Sequence, residues 1–486
     1  MVLPILGANT ESAAYEISNS LRLNDDDSPY LSDTPGSAGN RRTFTISLWA
    51  KRSDLNTSAV LYGAGTAATD MFQLLMQNDG DENRIIIQNR VSGTNNLHLV
   101  TTNSFRDPSA WYHIVLAVDT TQSTSSNRAK LYVNGTQITA FGTETYPSQD
   151  YDCHVNNTVA HHIGAQSRGS ANDHFDGYIT ELHSIDGSAK AQTDFGKFNN
   201  NGVWVPKAYT GTYGTNGFFM EFKQTGTGTN ASGIGADTSG NNNHFAVNNL
   251  ASTDIVTDTC TNNYATMNIL TAGSDEPVMR EGNLQQYAHG TSNSAGIAPT
   301  IMPDKGKWYI ELYLESPSGG DYPFFGITDQ RNLNQENANG TKMAAGFEID
   351  GATNNQSNTF LGSITNTNTG WPTFADNDIV MFALDLDNRK LWIGRQGTFM
   401  NSGNPASGSN EQLAWTNTTN VGVMMLGYDG GGGGGAQSVW NFGQDGSFAG
   451  KTTAQGNADG NSYGDFYYSP PSGYFALNTK NLAEYG

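Results

Sequence analysis

The sequence predicts an all-β protein built from two antiparallel β-sandwiches that are joined by an ordered connector. Short stretches of alternating apolar and polar residues recur along the chain, and turn-forming residues separate them. No apolar stripe with a helical period runs longer than about ten residues. Glycine makes up 56 of the 486 residues and asparagine is about as common, which fits the many turns of tandem sandwiches.

The charge composition excludes several classes of protein. The chain has 25 Lys and Arg against 46 Asp and Glu, a formal net charge of −21. Nucleic-acid binding needs clustered cations, and a membrane-spanning helix needs an apolar run of about 18 residues. The chain has neither, and its first residues, MVLPILGANT, lack the basic start of a secretory signal. We expect no nucleic-acid partner and no membrane insertion.

The two cysteines are expected to be unpaired thiols. Cys153 and Cys260 lie far apart in the sequence, and neither belongs to a CxxC pair. The sequence therefore supports neither a disulfide framework nor a zinc site.

Strand patterns define the first sandwich over residues 14–190, after a candidate anchor segment at residues 1–13. The stretch RTFTISLWAKR, residues 42–52, alternates apolar with hydroxylated side chains, which predicts a half-buried strand. The dipeptide Asn134-Gly135 within YVNG is typical of a tight hairpin.

Residues 191–263 differ in composition from the segments on either side. They carry the aromatic stretch VWVPKAYTGTYGTNGFFMEF and the polar run KQTGTGTNASGIGADTSGNNN. Because the aromatic side chains need burial, we expect an ordered connector that packs on the first sandwich.

Strand patterns resume over residues 264–486 and predict the second sandwich. KWYIELYLES, residues 307–316, alternates in the same way, and LDLDNRKLWI is a hairpin that turns at Asp387-Asn388. No heptad run and no Gly-X-Y repeat is present, so we expect neither a coiled-coil nor a collagen-like shaft.

Several of these segments resemble known families. FTISLWAKR, WYHIVLAVD, AKLYVNG and FDGYITELHSIDG resemble, in order and spacing, strands of the laminin-G-like (concanavalin A-like) jelly roll over residues 14–190. GKWYIELYLES, FFGITD, DIVMFALDLDNRKLWIGRQG and VWNFGQ, followed by PPSGYFALNT, resemble the SPRY (B30.2-like) sandwich over residues 264–486.

The combination resembles a family of marine bacteriophage virion proteins labelled as tail-fibre, LamG-domain or SPRY-domain proteins. The connector segments GVWVPKAYTGTYGTNGFFMEF and DTSGNNNHFAVNNL and the stretch NNYATMN make this resemblance specific. It implies lectin-like domains on the exterior of a virion assembled in the host cytoplasm. The implied partners are other virion proteins and a host-surface polysaccharide or receptor, and the implied assembly is a homo-oligomer, with a trimer favoured.

Two binding functions stay open at this point. The first is a tail-fibre or receptor-binding adhesin that recognises host-surface glycan. The second is a capsid or tail decoration protein, a head-fibre, that binds other virion proteins. A glycan-degrading enzyme is a third and weaker hypothesis.

The acidic residues offer no clear catalytic pair, so we expect a protein that is not an enzyme. Retaining glycosidases place two carboxyl groups about 5–5.5 Å apart. Glu348 and Asp350 have an E-x-D spacing, but no third acid follows. Glu311 and Glu315 lie four residues apart, roughly 13 Å along a strand, and we expect both to be solvated.

The histidines, by contrast, are expected to be surface residues or hydrogen-bonded structural residues. This applies to those that lie close together in the sequence, which are His154, His161, His162, His174 and His183.

Loops of the second sandwich hold the candidate glycan ligands. Lectin sites place an aromatic face under the sugar and Asn or Asp beside it, and the residues that match are Asn354, Asn355, Trp371, Tyr428 and Asp429. The glycine run 430–435 is expected to be a hairpin tip, or a host-facing loop whose backbone can approach a ligand closely.

Calcium is the one cofactor that the residues suggest. Ca²⁺ prefers carboxylate and carbonyl oxygens, and the candidate ligands are Asp25 and Asp27 in LNDDDSPY and Asp173 and Asp176 in ANDHFDG. The alternative interpretation of these residues is a solvated acidic turn.

Overall fold

The computed structural model describes residues 15–78, 82–272, 277–287, 295–316, 324–330, 343–348, 352–355, 360–427 and 437–486. Backbone contacts divide the chain into two compact units, the first ending at Thr261 and the second beginning at Asn262. Within the described ranges, no helix is long and apolar enough to cross a membrane.

The first unit contains twenty described strands. They are β1 (Ser20–Leu23), β2 (Tyr30–Asp33), β3 (Thr43–Arg52), β4 (Ser58–Ala67), β5 (Asp70–Gln77), β6 (Arg84–Val91), β7 (Thr94–Thr101), β8 (Tyr112–Asp119), β9 (Ala129–Val133), β10 (Thr136–Ile138), β11 (Phe141–Thr145), β12 (Ala160–Ile163), β13 (Gln166–Ser167), β14 (Ala171–Asn172), β15 (Gly177–Asp186), β16 (Gly196–Phe198), β17 (Trp204–Pro206), β18 (Phe218–Met220), β19 (Ala246–Asn248) and β20 (Ile255–Val256).

Two antiparallel sheets pack face to face in this unit. The first has the strand order β10-β9-β8-β3-β15-β1-β20, with β18 also paired to β15, and the second has the order β11-β7-β6-β5-β4-β12-β2-β19. Alternate residues from both sheets, such as Ile46 and Leu74, fill the core between them. Strands β18, β19 and β20 come from the predicted connector and extend the two sheets.

The tight hairpin that the sequence predicts between β9 and β10 is confirmed. Thr136 pairs with Val133, and the two turn residues, Asn134 and Gly135, have φ of 47° and 78°. Two consecutive positive φ values define the type I′ turn that the twist of a hairpin favours.

Strand β3 forms where expected, but the prediction that it is half-buried is wrong, because both of its faces are covered. The hydroxyl of Ser47 lies 3.0 Å from His113 Nε2, and Trp204 donates its indole N–H to His113 Nδ1 at 2.9 Å. Thr45 donates to the carbonyl of Ser188 at 2.8 Å. The segment that follows β15 therefore adds a third layer over the hydroxylated face.

The second unit contains fifteen described strands and one α-helix. They are β21 (Val278–Arg280), β22 (Gln285–Tyr287), β23 (Ala295–Gly296), β24 (Lys307–Ser316), β25 (Phe324–Asp329), β26 (Ala345–Glu348), β27 (Thr353–Asn355), β28 (Ile364–Asn366), β29 (Ile379–Asp385), β30 (Lys390–Arg395), β31 (Thr398–Phe399), β32 (Leu413–Trp415), β33 (Val421–Gly427), β34 (Gln437–Asn441), β35 (Phe475–Ala476) and α1 (Thr479–Tyr485).

This unit is also a two-sheet sandwich. One sheet has the order β21-β22-β34-β24-β29-β30-β32-β28, with β31 on β30 and β35 on β24, and the other has the order β23-β33-β25-β26-β27. Short 3₁₀ turns complete the described helical structure, at Asp25–Asp27, Ser125–Asn127, Gln192–Asp194 and Ser252–Asp254 in the first unit and at Ile269–Thr271, Met400–Ser402 and Pro405–Ser407 in the second. The predicted fold class, two antiparallel sandwiches, is confirmed.

Glu311 on β24 is fully buried, so the prediction that it is a solvated acid is wrong. Its two carboxylate oxygens accept the backbone N–H groups of Tyr467 at 2.9 Å and Tyr468 at 2.7 Å, the hydroxyl of Tyr309 at 3.1 Å and the amide of Asn441 at 3.3 Å. The C-terminal segment covers this face of the sheet and supplies two of the four donors. Burial still raises the pKa of Glu311 to about 7.

Glu315, four residues along the same strand, stays partly accessible. Its carboxylate accepts from the side chain of Gln285 at 2.7 Å and pairs with Lys451 at 2.5 Å.

Both cysteines are free thiols, as expected. Burial raises the pKa of Cys153 to about 12, so this thiol is protonated and unreactive at neutral pH.

Candidate functional site

Three residues that the sequence singled out for glycan binding lie near one hairpin of the second unit. Asn354 and Asn355 belong to β27, which pairs with β26. Phe347 of β26 lies with its ring centroid 4.7 Å from that of Trp371, and the Trp371 ring also contacts Phe374 at 5.6 Å. Trp371 is half-buried at the edge of the core, and the glycan role of these residues stays a prediction.

Several predicted features lie outside the described residues. They are the anchor segment 1–13, Asp350, Tyr428, Asp429 and the glycine run 430–435. The functions assigned to them from the sequence stay predictions.

Three of the four aspartates predicted to bind calcium lie at one end of the first sheet, and the fourth, Asp173, contacts the second sheet. Asp25 and Asp27 follow β1, and Asp176 directly precedes β15, the antiparallel partner of β1. Asp27 accepts a hydrogen bond from Asn24 at 2.9 Å, while the backbone carbonyl of Asp173 accepts one from Val60 at 3.0 Å. No cluster of three or more His, Cys, Asp or Glu side chains suited to a metal ion occurs in the part of the chain that the structure describes. The aspartates therefore do not form an assembled ligand set.

The histidines behave as hydrogen-bonded structural residues. His161 contacts the carbonyl of Val159 at 2.8 Å through Nδ1 and accepts the N–H of Asn156 at 3.1 Å through Nε2. Burial lowers the pKa of His161 to about 4 and that of His113 to about 3. Both rings are therefore neutral at physiological pH.

A row of linked amide side chains crosses the second sheet of the first unit. Gln73 on β5 lies opposite Gln88 on β6, and Gln88 lies opposite His98 on β7. Gln73 donates to Gln88 Oε1 at 2.8 Å, Gln88 donates to Asn95 Oδ1 at 3.0 Å, and Asn95 Nδ2 lies 3.2 Å from His98 Nδ1. Gln166, on the short strand β13, donates to Gln73 Oε1. We call these five side chains the amide ladder.

Glycines on β4 make room for the first member of the amide ladder. A Cβ on Gly63 would lie 2.8 Å from the backbone of Ala165 and of Ser167, so the segment that carries Gln166 rests directly on β4. Ser167 fixes this contact, since its hydroxyl donates to the carbonyl of Gly65 at 3.1 Å. The close approach places the Gln166 amide beside Gln73.

The amide ladder runs from a buried end to a half-exposed end. Gln166, Gln73 and Gln88 are between 3% and 9% exposed, whereas Asn95 and His98 are half-buried. Gln166, Gln73 and Gln88 each donate to an amide on the next strand of the row, and Asn95 donates to His98 on its own strand. The row therefore has one direction, and hydrogen bonds aligned in this way polarise one another. The buried amides thus orient the polar groups at the accessible end.

The accessible end presents neutral and cationic donors. Arg90 donates its Nε–H to Asn95 Oδ1 at 2.9 Å and an Nη–H to the carbonyl of Ala68 at 3.2 Å. Burial, followed by the charge of Arg90, lowers the pKa of His98. His98 is therefore a neutral imidazole that accepts at Nδ1 and keeps Nε2–H as a donor. Such a fixed set of donors can bind hydroxyl or carbonyl oxygens of a ligand.

Sequence reasoning missed the amide ladder. The strands that carry it, DMFQLLMQ, RIIIQNRV and TNNLHLVT, hold only scattered polar residues, and apolar residues such as Leu75 and Ile86 share their face. The sequence therefore shows no continuous polar face, and only the register of three strands brings Gln73, Gln88 and His98 into one row.

Comparison with known proteins supports the fold of this region. Residues 25–193 match a laminin G family model described as the concanavalin A-like lectin/glucanases superfamily. The first unit therefore contains a laminin G-like, concanavalin A-like lectin domain, which confirms that part of the predicted resemblance. Comparison with curated proteins gives no match.

Solved structures with related folds are distant. A heptameric SAP-like pentraxin from Limulus polyphemus is 16% identical over 37% of this chain and 80% of its own, with a TM-score of 0.29. The LG4-5 domains of the mouse laminin alpha1 chain are 9% identical over 90% of this chain and 91% of theirs, with a TM-score of 0.29. Tailspike protein 2 of an Escherichia coli O157:H7 bacteriophage is 11% identical over 39% of this chain and 28% of its own, with a TM-score of 0.27. Similarities of this size assign no function to either unit.

Proposed function

We propose that this chain is a non-enzymatic, glycan-binding protein of a bacteriophage virion, and that the accessible end of the amide ladder contacts the glycan. The observation that carries the binding proposal is the directed row of amides within a lectin-family domain. Sugar hydroxyls both donate and accept, and they are bound by groups whose orientation is fixed in advance. Asn95, His98 and Arg90 are such groups, because the buried amides behind them fix their donors.

The virion assignment has separate support. It rests on the connector segments GVWVPKAYTGTYGTNGFFMEF and DTSGNNNHFAVNNL, which resemble a family of phage virion proteins, and on the SPRY-like strand patterns of the second unit. In this proposal the chain is a tail-fibre adhesin that recognises host-surface polysaccharide and assembles as a homo-oligomer, with a trimer favoured.

A binding experiment with matched variants tests the glycan proposal. The full chain is applied to an array of bacterial surface polysaccharides, together with Asn95→Ala, His98→Ala and the control Gln137→Ala. Gln137 is an exposed amide on β10, in the other sheet of the same unit. We expect the first two variants to lose binding while the control keeps it. Equal binding by all four proteins would refute the site.

Two further measurements separate the adhesin from its alternatives. Cryo-electron microscopy of the particle locates the protein, and density confined to the capsid shell would replace the tail-fibre adhesin with the decoration protein. Incubation with each bound polysaccharide, followed by an assay for reducing ends, tests the absence of catalysis. Release of reducing sugar would overturn the non-enzymatic part of the proposal.

A further inference from the structure

A hairpin of the connector presents an exposed aromatic ring. The hairpin consists of β16 and β17, in which Phe198 pairs with Trp204. Phe198 is 55% exposed, and it is the one aromatic side chain among the large apolar residues exposed on the described parts of the chain. Its ring stands edge-on to the Trp204 indole, with centroids 4.9 Å apart and planes at 70°.

The support under this ring is rigid. Trp204 is only 9% exposed, and its indole N–H donates to His113 Nδ1 at 2.9 Å. Glycines lie against the indole on two sides, because a Cβ on Gly135 or Gly196 would come within 2.2 or 2.4 Å of it. The Phe198 ring therefore rests on a side chain that packing and hydrogen bonding hold in place.

The loop of the hairpin is fixed as well. Asn199 accepts the backbone N–H groups of Asn201 at 3.0 Å and Val203 at 2.9 Å through its side chain, and its own N–H donates to the carbonyl of Val203 at 2.8 Å. These bonds close the turn and leave Asn200 and Asn201 exposed. A rigid aromatic ring is thus followed, two and three residues along the chain, by exposed amide side chains.

We propose that Phe198 is a stacking platform for a neutral pyranose, with the exposed Asn201 amide beside it. The C–H face of a pyranose packs on an aromatic ring, and its hydroxyls need amide partners. Lys197 points to the opposite face of the ribbon, because successive side chains of a strand alternate, so the platform carries no charge. A single ring is too small for a stable protein interface, which buries more than about 1,000 Å², whereas it matches one sugar ring.

This site is independent of the amide ladder and lies outside the residues that match the lectin family model. If both sites bind sugars, one chain would hold a polysaccharide at two points, and avidity would raise the overall affinity without new contacts.

Ligand-observed saturation-transfer NMR tests the platform on the full chain. The probes are the methyl glycosides of glucose, galactose, mannose and N-acetylglucosamine. We expect at least one of them to receive saturation, strongest at the C–H protons of one ring face. Phe198→Ala should weaken its affinity by about tenfold, equivalent to ~1.4 kcal/mol, while Phe198→Trp should retain binding.

The control variants make the result specific. Val91→Ala removes an apolar side chain that is 37% exposed elsewhere and should change nothing. His98→Ala should leave the Phe198-dependent signal intact, which separates this proposal from the amide-ladder site. The proposal is overturned if none of the four glycosides receives saturation, or if Phe198→Ala leaves the affinity unchanged.

Discussion

A buried ion pair between Lys51 and Asp258 holds the end of the connector against the first sheet. Lys51 Nζ lies 2.8 Å from Asp258 Oδ2, and the two side chains are 1% and 0% exposed. The indole N–H of Trp111 points to the second carboxylate oxygen at 3.4 Å, and the ammonium group lies 5.4 Å from the ring centroid of Tyr178. Asp258 follows β20, whereas Lys51 lies on β3, more than two hundred residues earlier.

Asp258→Asn keeps the size of the side chain and removes its charge. The Lys51 ammonium then stays buried without this counter-charge, a change that costs about 3–5 kcal/mol. The destabilisation has an upper limit, because Lys51 can instead lose its proton and become neutral. For an amine with an ordinary pKa of about 10.4, deprotonation at about pH 7 costs roughly 5 kcal/mol. We therefore expect the first unit to lose about 3–5 kcal/mol of stability.

The pH dependence distinguishes this charge effect from a packing effect. If Lys51 is neutral in the folded variant, the unfolded chain binds one more proton, so stability rises with pH up to the ordinary pKa of lysine. In that case the penalty of Asp258→Asn is near its upper limit at about pH 7, and it should shrink by about 3 kcal/mol between about pH 7 and pH 9. A packing defect would give a penalty that does not change with pH.

The assay is urea-dependent hydrogen–deuterium exchange of the full chain, read by mass spectrometry on peptides that cover β3. This readout reports the first unit separately from the second. The double variant Lys51→Met/Asp258→Leu is the control, because replacing both partners by apolar residues is often close to neutral. A loss of less than about 1 kcal/mol in unfolding free energy for Asp258→Asn would refute the reasoning. So would a double variant whose loss equals the sum of the losses of the two single variants.

Three more perturbations test other parts of the structure. Because burial raises the pKa of Glu311 from 4.5 to about 7, the folded second unit keeps a proton that the unfolded chain releases. Its stability should therefore fall by up to about 3 kcal/mol as pH rises through this window, and urea denaturation of Glu311→Gln should lack this part of the pH dependence. Gly135→Ala puts a Cβ 2.2 Å from Trp204 at a φ of 78°, so thermal melts should show a loss of about 1–3 kcal/mol in unfolding free energy. The control is Gly36→Ala, where a Cβ meets nothing within 4 Å, and it should change the stability little. Calcium binding by Asp25, Asp27, Asp173 and Asp176 stays a prediction, under which added calcium should raise the melting temperature and Asp176→Asn should abolish the rise; equal melting temperatures in calcium and in a chelator would contradict it.

Local patterns were sufficient to predict the strands and the tight turns. The alternation in residues 42–52 and the Asn134-Gly135 dipeptide act over a few residues, and the structure has β3 and the β9–β10 hairpin at those places. Both features depend on backbone geometry that neighbouring residues determine. For the same reason the fold class could be predicted without any tertiary information.

Register and remote segments limited the prediction of the candidate site. The polar residues of β5, β6 and β7 are visible in the sequence, but the row formed by Gln73, Gln88 and His98 depends on how three strands align. Register follows from core packing as a whole, which a single strand does not contain. The same limit applies to the ion pair between Lys51 and Asp258, whose partners are far apart in the chain.

The wrong predictions about burial have one physical cause. An alternating strand in a two-layer sandwich leaves its polar face in water, yet Ser47 on β3 and Glu311 on β24 are both buried. In each unit a later segment of the chain forms a third layer over that face. It brings partners such as Trp204, which donates to the His113 ring beside Ser47, or the N–H groups of Tyr467 and Tyr468. Polar residues at alternate positions are thus compatible with burial when a distant segment satisfies them. Surfaces available for recognition must be sought where no later segment covers the polar groups, as at the half-exposed end of the amide ladder on the second sheet, or on the third layer itself, as at Phe198.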